Sequence, residues 1–436
     1  MAYQNPSLTG LAEEILKGAT TLQEELSKHD LPQPSFVPDG RRNYHDVYLN
    51  PVAMDARARL IEAAQTMYTL ALGPADALRT IATTERMRVN VLRTIHELGI
   101  ADAVPANGDI SIDDLAAKVG THPIPLRRVL RLAYTMRVFQ EPAGKPDFVA
   151  HTPLSALIPA ASPWLWLQLA DVSQMQASGW QLPWALRNWP RIPLNKSDAA
   201  ERDFWTIIQQ DEPEGRGMSL FTSAMSSYIQ MMHGSNSMQV LRGFDWAGLG
   251  EGVIVDVGGG SGHISLPVAR EFPQLRFVVQ DLVKNEGSAN ELIKAAGLDQ
   301  DDKVRFQPHD FFTPQPESQV VPKAYLLSRV LHDWPDEDCV RILTHLLPGM
   351  KRGAKLFLVE RVMPSRPGEV PLHQEEQLRV LDLMMYSILG GCERSRDDWE
   401  RLLRRADLGL GVRTIAAMPG SEFSAITCEI LATQVL

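Results

Sequence analysis

Residues 253–262 read VIVDVGGGSG, an apolar run that ends in a glycine-rich turn. A short apolar run bounded by glycines predicts a buried strand, and a helix is predicted to follow from about His263 to Glu271. Glycines in the turn let the backbone approach a ligand without a clash from a Cβ atom. The segment therefore predicts one strand, turn and helix of an open α/β sheet, with a ligand at the turn.

The spacing of the glycines argues against some classes of ligand. Gly258, Gly260 and Gly262 are two residues apart, which departs from the GxGxxG spacing of dinucleotide sites. The turn has no lysine followed by serine or threonine, which disfavours a phosphate-binding P-loop. A glycine-rich turn alone is weak evidence, because nucleotide, flavin and nicotinamide sites use similar turns. The acidic residues around the turn are more informative.

Carboxylates follow the next two predicted strands. The second strand ends at Asp281, with Leu282 beside it, and a carboxylate there can accept hydrogen bonds from both hydroxyls of a ribose. After the third strand, an adenine could hydrogen-bond to Asp310 and stack beside Phe311. Either acid taken alone could equally be a loop residue in water. Together with Asp256 in the first strand, they favour a cofactor that contains ribose and adenine.

Strands and helices alternate from Gly252 onward, which predicts a parallel, doubly wound α/β sheet. Seven strands are predicted, near residues 253–257, 276–280, 304–307, 324–330, 355–362, 409–415 and 423–431. Ligands of such sheets bind beyond the carboxyl ends of the strands. The fourth strand leads into SRVLHDWPDE and places His332 at this edge, although a lone histidine there is more often structural.

The front of the chain is predicted to be helical, because apolar residues recur at helical spacing between residues 8 and 98. A short helix opening at residues 110–115, a basic helix at 123–136 and a hairpin at 138–149 together predict a winged helix. Winged helices often bind DNA, and three arginines on the second helix would suit that function: Arg127, Arg128 and Arg131. The acidic net charge of the chain and its larger, enzyme-like C-terminal part argue against DNA binding.

The composition limits the class of protein. A chain of 436 residues with 44% hydrophobic residues can fill two domains. Its formal net charge of −10 argues against nucleic acid as a partner, since phosphates need a basic face. The three cysteines lack a CxxC pair, so neither a disulfide framework nor a zinc site is indicated. No apolar run reaches the roughly 18 residues of a membrane helix, so we expect a soluble, cytoplasmic protein without a membrane partner.

Four parts of the chain are predicted. They are a helical extension at residues 1–50, a winged-helix domain at 51–160, a helical linker and substrate-pocket segment at 161–245, and a catalytic domain at 246–436. The third part holds a tryptophan-rich stretch at 163–193, whose aromatic rings could line a pocket or cover a core. A long helix is predicted at about 218–241.

Five motifs resemble one known family when they are taken together. VDVGGGSG, VVQDL, HDF, VLHDWPDEDC and ERS are similar to the small-molecule O-methyltransferases, which include plant caffeic-acid and flavonoid enzymes and fungal secondary-metabolite enzymes. The resemblance covers about residues 75–431. It implies an α/β fold, with a Rossmann-like seven-stranded methyltransferase domain preceded by a mostly α-helical winged-helix dimerisation domain. It also implies S-adenosyl-L-methionine as cofactor and a homodimer in which the partner subunit caps the active site.

The resemblance also assigns roles to residues. His332 matches the family's general base, and Glu360 and Glu393 match the two acids that hold its ring. The candidate cofactor contacts are Asp256, Gly258, Gly260, Asp281, Leu282, Asp310, Phe311 and Arg329. The candidate substrate contacts are Phe221, Met225, Asp333, Met384 and Met385, although each apolar one could equally be a core residue. Ser328 stands where some plant members have a lysine, and the extension before Tyr44 is longer than theirs.

The chemistry explains why a histidine and acids are needed. A hydroxyl is a poor nucleophile until its proton leaves, and an imidazole with an ordinary pKa of about 6.5 can accept that proton near neutral pH. A carboxylate on the other ring nitrogen fixes the tautomer and stabilises the imidazolium. A base contributes about 10²- to 10⁴-fold, whereas alignment of two reactants can reach effective molarities of about 10⁵ M or more. Positioning is therefore expected to matter more than the base.

Two other functions remain open. A pericyclase or cyclase could keep this fold and use the positive charge of S-adenosylmethionine without transferring its methyl group. The presence of a histidine with two acids argues against that enzyme, because a cation-assisted cyclisation does not require them. A DNA-binding regulator that senses a metabolite would use the winged helix, but the acidic balance disfavours it. No metal is predicted, since a histidine base makes one unnecessary.

Overall fold

The computed structural model divides the chain into two compact units. One comprises Met1–Trp180, Ala200–Met232 and Pro371–His373, and the other comprises Gln181–Ala199, His233–Val370 and Gln374–Leu436. The structure describes residues 6–36, 50–169, 182–187, 220–221, 223–225, 227, 240, 242–317, 320–418 and 421–430. The four-part division predicted from the sequence remains a prediction.

The N-terminal unit is mainly helical. Its helices are α1 (Leu8–Lys28), α2 (Pro51–Arg79), a π-helix (Thr80–Glu85), α3 (Arg86–Glu97), α4 (Ile100–Ala103), α5 (Ile112–Lys118), α6 (Pro123–Thr135) and α7 (Pro153–Leu169). Helix α2 begins where the Asn50 side chain accepts a hydrogen bond from the amide of Val52. Gly73 has a φ of 73° and is followed by Pro74, so α2 consists of two helical pieces with a kink between them.

A small antiparallel sheet completes this unit. Strands β1 (Asp109–Ser111), β2 (Phe139–Gln140) and β3 (Phe148–His151) pair in the order β1-β3-β2. The Ser111 side chain caps α5 by accepting from the amide of Asp114. Buried side chains from the helices and the sheet form one core, including Ile95, Leu115, Leu130, Phe139 and Val149. The two helices and the hairpin that the sequence predicted between residues 110 and 149 are confirmed.

The C-terminal unit is an α/β domain. After α8 (Leu182–Arg187), its elements are β4 (Gly252–Val257), α9 (Ser265–Glu271), β5 (Leu275–Asp281), α10 (Glu286–Ala295), β6 (Val304–Pro308), β7 (Ala324–Ser328), α11 (Asp336–Met350), β8 (Lys355–Glu360), β9 (Val362–Met363), α12 (Leu372–Leu389), β10 (Arg394–Ser395), α13 (Arg396–Ala406), β11 (Leu410–Ala417) and β12 (Ser424–Ile430). A core lies on each face of the sheet, one around Leu358 and Trp399 and the other around Trp246, Phe277 and Phe357.

The strand order indicates where a ligand site is expected. The sheet has seven strands in the order β11-β12-β8-β7-β4-β5-β6, which confirms the predicted number. Strands β4 to β8 run parallel, and β12 is antiparallel to both of its neighbours. The chain leaves β4 towards β5 and β6 and returns to β7 on the other side of β4. Ligands of open α/β sheets bind at such a reversal, so the turns after β4 and β7 are the expected site.

Two predicted strands end earlier than expected. The strand predicted to reach Val330 stops at Ser328, because Arg329 has a φ of 57° and turns the backbone away from the sheet. The strand predicted at 355–362 is interrupted at Arg361 and continues as the short β9.

Two predicted segments lie largely outside the described residues. They are the tryptophan-rich stretch and the helix at 218–241, of which residues 220, 221, 223–225, 227 and 240 are described and helical. Among the helices that the structure describes, none combines the length and apolarity needed to cross a membrane.

Candidate active site

The glycine turn after β4 is tightly packed. Gly258 and Gly260 have φ angles of 70° and 56°, in the left-handed region that favours glycine. The amides of Gly258 and Gly259 donate to the carbonyl of Gln280 on β5, at 2.8 and 3.1 Å. A Cβ atom on Gly258 would lie 3.0 Å from Cγ2 of Val330. The turn after β4 and the turn after β7 therefore lie against each other.

Asp256 provides a buried acceptor beside this turn. The residue is 1% exposed, and its Oδ2 accepts a hydrogen bond from the Ser265 hydroxyl at 2.6 Å. Its Oδ1 has no hydrogen-bond partner among the described residues. Burial raises the pKa of Asp256 to about 6, against the opposing effect of the Ser265 hydrogen bond. A buried oxygen without a partner is costly, and a donor on a bound ligand would satisfy it.

Asp281 lies at the same edge of the sheet and organises the turn. Its Oδ2 accepts from the amide of Gly260 at 2.8 Å. Its Oδ1 accepts from the amide of Leu282 and the side chain of Asn285, both at 2.8 Å. A carboxylate can accept about four hydrogen bonds, so capacity remains for a ribose hydroxyl. Leu282, next to it, is 44% exposed.

Asp310 and Phe311 follow β6. Asp310 is exposed, and its Oδ1 accepts from the amide of Phe312 at 2.9 Å. Phe311 is half-buried, and its Cε1 would lie 3.5 Å from a Cβ atom on Gly258. The structure thus brings Phe311 to the glycine turn. The arrangement fits S-adenosylmethionine, because it combines a close backbone approach, a spare buried acceptor, a carboxylate for ribose and an aromatic ring.

His332 lies on a 3-10 turn, Leu331–Asp333, directly after β7. The residue is 8% exposed. Its Nδ1 lies 3.1 Å from Oε1 of Glu393, which can only accept, so Nδ1 carries the hydrogen. Nε2 is then the nitrogen available as a base, and it lies 3.3 Å from Oδ1 of Asp333.

Glu360 bonds to the backbone of the turn that carries His332 rather than to the His332 ring. Its Oε1 accepts from the amides of Val330 and Leu331, at 3.1 and 2.9 Å. Its Oε2 is 3.7 Å from Nδ1 of His332, which is beyond hydrogen-bond distance. Both predicted acids therefore lie at the histidine, but in the described structure only Glu393 bonds to its ring.

The electric field around His332 favours its charged form. Burial opposes protonation of the ring, but the carboxylates of Glu360, Asp333 and Glu393 outweigh burial and raise the pKa of His332 to about 9. Burial also raises the pKa of Asp333 to about 6, against the opposing charge of His332. Burial disfavours ionised Glu393 too, yet His332 and Arg361 hold the pKa of that carboxyl below its usual value.

Two buried arginines at the site were not predicted from the sequence. Arg394 donates to the carbonyls of Leu331 and Trp334, at 2.9 and 3.0 Å, and so spans the turn that carries His332. It also pairs with Asp336 at 2.8 Å. Arg361 bonds to Glu393 at 2.8 Å. Each arginine directly follows a predicted catalytic glutamate in the sequence, which is the signal that could have identified it.

The remaining candidates are distributed between the two units. Arg329 is half-buried, and its charge lowers the otherwise raised pKa values of both Asp256 and Asp333, so it lies close to both turns. The candidate substrate residues Phe221 and Met225 are half-buried in the N-terminal unit, and Met384 and Met385 are half-buried on α12.

Comparisons with known proteins identify the family. Residues 192–408 match the O-methyltransferase domain, and residues 84–159 match the O-methyltransferase dimerisation domain. The grayanic acid biosynthesis cluster O-methyltransferase of Cladonia grayi is 33% identical, over 91% of this chain and 82% of that protein. The O-methyltransferase aurJ of Gibberella zeae is 30% identical, over 98% of this chain and 99% of that protein.

A solved structure supports the same family. The mitomycin 7-O-methyltransferase MmcR is 26% identical with a TM-score of 0.68, over 82% of this chain and 98% of that chain. The expected fold class and the expected cofactor, S-adenosylmethionine, are confirmed with the family. The chain therefore belongs to the S-adenosylmethionine-dependent O-methyltransferases of secondary metabolism that carry an N-terminal dimerisation domain.

Proposed function

We propose that the enzyme methylates a hydroxyl group on a small aromatic or polyketide-like metabolite, with His332 as general base. The observation that carries this proposal is the 3.1 Å hydrogen bond between His332 Nδ1 and Glu393 Oε1. It fixes the tautomer in which Nε2 is the basic nitrogen, at the carboxyl edge of the sheet where the cofactor turn also lies.

The chain's own residues would hold the cofactor at this edge. Asp281 would accept from the ribose, Asp256 Oδ1 would accept from one further donor, and Asp310 with Phe311 would contact the adenine. Gly258 and Gly260 would allow the close approach, Leu282 would contact the ribose side, and Arg329 lies close enough to Asp256 and Asp333 to lower the pKa of both. S-adenosylmethionine supplies an electrophilic methyl group on a sulfonium when it is bound.

Proton transfer then depends on His332. Nε2 accepts the hydroxyl proton, and Glu393 stabilises the imidazolium as it forms. Glu360 and Arg394 both hold the 3-10 turn in place. Glu360 accepts from backbone amides at the turn, and Arg394 donates to backbone carbonyls there. The rate depends more on this positioning than on the base itself.

We propose that this chemistry needs no metal ion. Ligand atoms of His332, Glu360 and Glu393 lie within 4.8 Å of one another, a separation that a cation could bridge. However, one oxygen of each acid is already bonded, Glu393 Oε1 to Arg361 and His332 and Glu360 Oε1 to two backbone amides, and the charge of Arg361 beside Glu393 disfavours a second cation there. Full activity after dialysis against EDTA is the expected result, and loss of activity that Mg²⁺ or Zn²⁺ restores would contradict it.

The substrate class rests on four apolar side chains and one acid. Phe221, Met225, Met384 and Met385 suit a flat ring, since methionine packs on aromatic faces with little steric demand. Asp333, beside His332 Nε2, can accept from a second polar group on the substrate. Relatives bear names that refer to grayanic acid and mitomycin, which are consistent with an acceptor from secondary metabolism.

We further propose a cytoplasmic homodimer that binds neither nucleic acid nor membrane. The match of residues 84–159 to a dimerisation domain supports the homodimer. The two helices and the hairpin between residues 110 and 151 form a winged helix in our interpretation. Arg127, on the helix that would enter DNA, pairs with Asp147 at 2.8 Å, and the net charge of −10 disfavours DNA further.

Mass spectrometry tests the reaction. Purified protein is incubated with S-adenosylmethionine and a panel of phenols and polyketide alcohols, and wild type is compared with His332→Ala and with His345→Ala, a control histidine on α11. Products heavier by one methyl group, made by wild type and the control but reduced about 10²-fold or more in His332→Ala, support the proposal. A product of unchanged mass with the cofactor unconsumed would instead identify a pericyclase.

A further inference from the structure

Arg361 connects the catalytic acid to a second acid outside the predicted site. It occupies the break between β8 and β9 and is 4% exposed. One guanidinium nitrogen, Nη1, donates to Glu393 Oε1 at 2.8 Å, and Nη2 donates to Glu422 Oε1 at 2.6 Å. The guanidinium carbon lies 4.4 Å from the centre of the Phe423 ring, which holds the group in place.

The oxygen that Arg361 contacts is the one that also binds the histidine. Glu393 Oε1 accepts from His332 Nδ1 at 3.1 Å and from Arg361 at 2.8 Å. The other oxygen, Oε2, is buried with no hydrogen-bond partner among the described residues. Two cationic donors thus compete for one carboxylate oxygen, and the shorter bond is to the arginine.

We propose that Arg361 is a positioning residue that acts through this shared oxygen and limits how strongly His332 holds a proton. The inference rests on the proposed role of His332 as general base and adds a residue that adjusts its strength. A general base works best when its pKa lies near the working pH. The carboxylates around His332 already raise its pKa to about 9, and a further uncompensated negative charge would raise it more, so a smaller fraction of the ring could accept a proton from the substrate.

The charges around His332 show why a cation is needed. Carboxylates outnumber cations within its own turn and the elements packed on it. The charged groups are Asp333 and Arg329 on the β7 turn, Glu360 and Arg361 at the end of β8, Glu393 and Arg394 at the start of β10, Asp336 at the start of α11, Asp382 on α12, Arg405 on α13 and Glu422 before β12. Arg394 already pairs with Asp336, which leaves Arg361 as the described cation bonded directly to Glu393.

Glu422 gives the proposal a second, opposite test. Its carboxylate compensates part of the positive charge of Arg361. Removal of the arginine charge leaves Glu393 fully negative, so His332 should bind its proton more tightly. Removal of the Glu422 charge leaves the arginine less compensated, so His332 should bind its proton more weakly. A purely structural role for Arg361 would not produce shifts of opposite sign.

The experiment is an NMR titration of the histidine rings in the full-length protein labelled at histidine. The His332 signal is assigned by its absence in His332→Asn, among the 11 histidines of the chain. The variants are Arg361→Met, the charge-retaining Arg361→Lys and Glu422→Gln. The control is Arg413→Met, since Arg413 pairs with Glu429 in the β11–β12 hairpin, as Arg361 pairs with Glu422 before β12.

We expect the pKa of His332 to rise by about one unit in Arg361→Met, which is a tenfold change in proton affinity. It should fall in Glu422→Gln, and remain near the wild-type value in Arg361→Lys and Arg413→Met. An unchanged or lower value in Arg361→Met overturns the proposal. If Arg361→Met does not fold, Glu422→Gln decides: a lower pKa of His332 supports the proposal, and an unchanged or higher one overturns it.

The titration does not require turnover, so its result is separate from that of the methyl-transfer assay. Shifts of the expected signs in a protein that transfers no methyl group would support the role of Arg361 and reject the proposed function. An active enzyme in which the pKa of His332 does not change would support the proposed function and reject the role of Arg361. In active enzyme, the acid limb of kcat/KM should move to higher pH in Arg361→Met by the same amount.

Discussion

Asp333 Oδ1 lies 3.3 Å from His332 Nε2, the nitrogen that we propose accepts the proton of the substrate. The neighbouring carboxylate stabilises a proton on that nitrogen when no substrate is present. In the substrate-free enzyme the ring is therefore held in its acidic form, and a bound hydroxyl has to displace this contact.

The first prediction concerns the pH dependence of the wild-type enzyme. The pKa of His332 is raised to about 9, so the fraction of neutral ring increases about tenfold per pH unit up to that value. We expect kcat/KM to rise with pH and to level off near pH 9. The check is a pH profile from about 6.5 to 10 with folding followed by circular dichroism. A plateau that begins near the ordinary imidazole value would contradict the raised pKa.

The second prediction concerns Asp333→Asn. The substitution keeps the size of the side chain and removes a charge that raises the pKa of His332. The acid limb of kcat/KM should move to lower pH, whatever the effect on the maximal rate. The comparison is the midpoint of the profile in Asp333→Asn and in Asp338→Asn, a change on α11 outside the turn. Equal midpoints in the two variants and the wild type would refute an effect of Asp333 on the ring.

The third prediction separates two functions of Glu360. Glu360→Gln retains an oxygen that can accept from the amides of Val330 and Leu331, whereas Glu360→Ala leaves both amides without this acceptor. A buried donor without a partner costs about 1–3 kcal/mol. Chemical denaturation should therefore show Glu360→Ala to be less stable than Glu360→Gln. Equal stability of the two variants would mean that the two hydrogen bonds contribute little.

The fourth prediction tests the cofactor turn with a matched pair. Gly258→Ala and Gly297→Ala both place a side chain at a φ near 70°, which costs about 1–2 kcal/mol of stability. A Cβ atom at 258 meets Val330 at 3.0 Å, whereas one at 297 meets nothing within 4 Å. Calorimetry should show weaker binding of S-adenosylmethionine only in Gly258→Ala. Unchanged affinity in that variant would place the cofactor elsewhere.

The fold could be predicted from the sequence where the hydrophobic pattern is strong. The strands of the seven-stranded sheet are short apolar runs bounded by turn residues, so all seven were located, whereas the two-residue strands β9 and β10 were not predicted. Their ends were less predictable, because the stop at Ser328 depends on the positive φ of Arg329, an uncommon backbone conformation for a residue other than glycine.

The candidate site was predictable only in part. His332 and Glu393 are 61 residues apart, and no local pattern connects them, so the family resemblance was needed to pair them. Arg361 and Arg394 were missed because arginine side chains normally reach solvent. Here the folded chain buries both, because carboxylates from distant segments compensate their charges.

The contact between Gly258 and Val330 limits how this enzyme can be altered. The loop proposed to receive the methyl donor and the loop that carries the proposed proton acceptor share one steric boundary, so an insertion in either would displace the other. A change of acceptor specificity, by engineering or during divergence from its relatives, should therefore leave both loops at their present length and vary side chains elsewhere, such as those of Met384 and Met385 on α12.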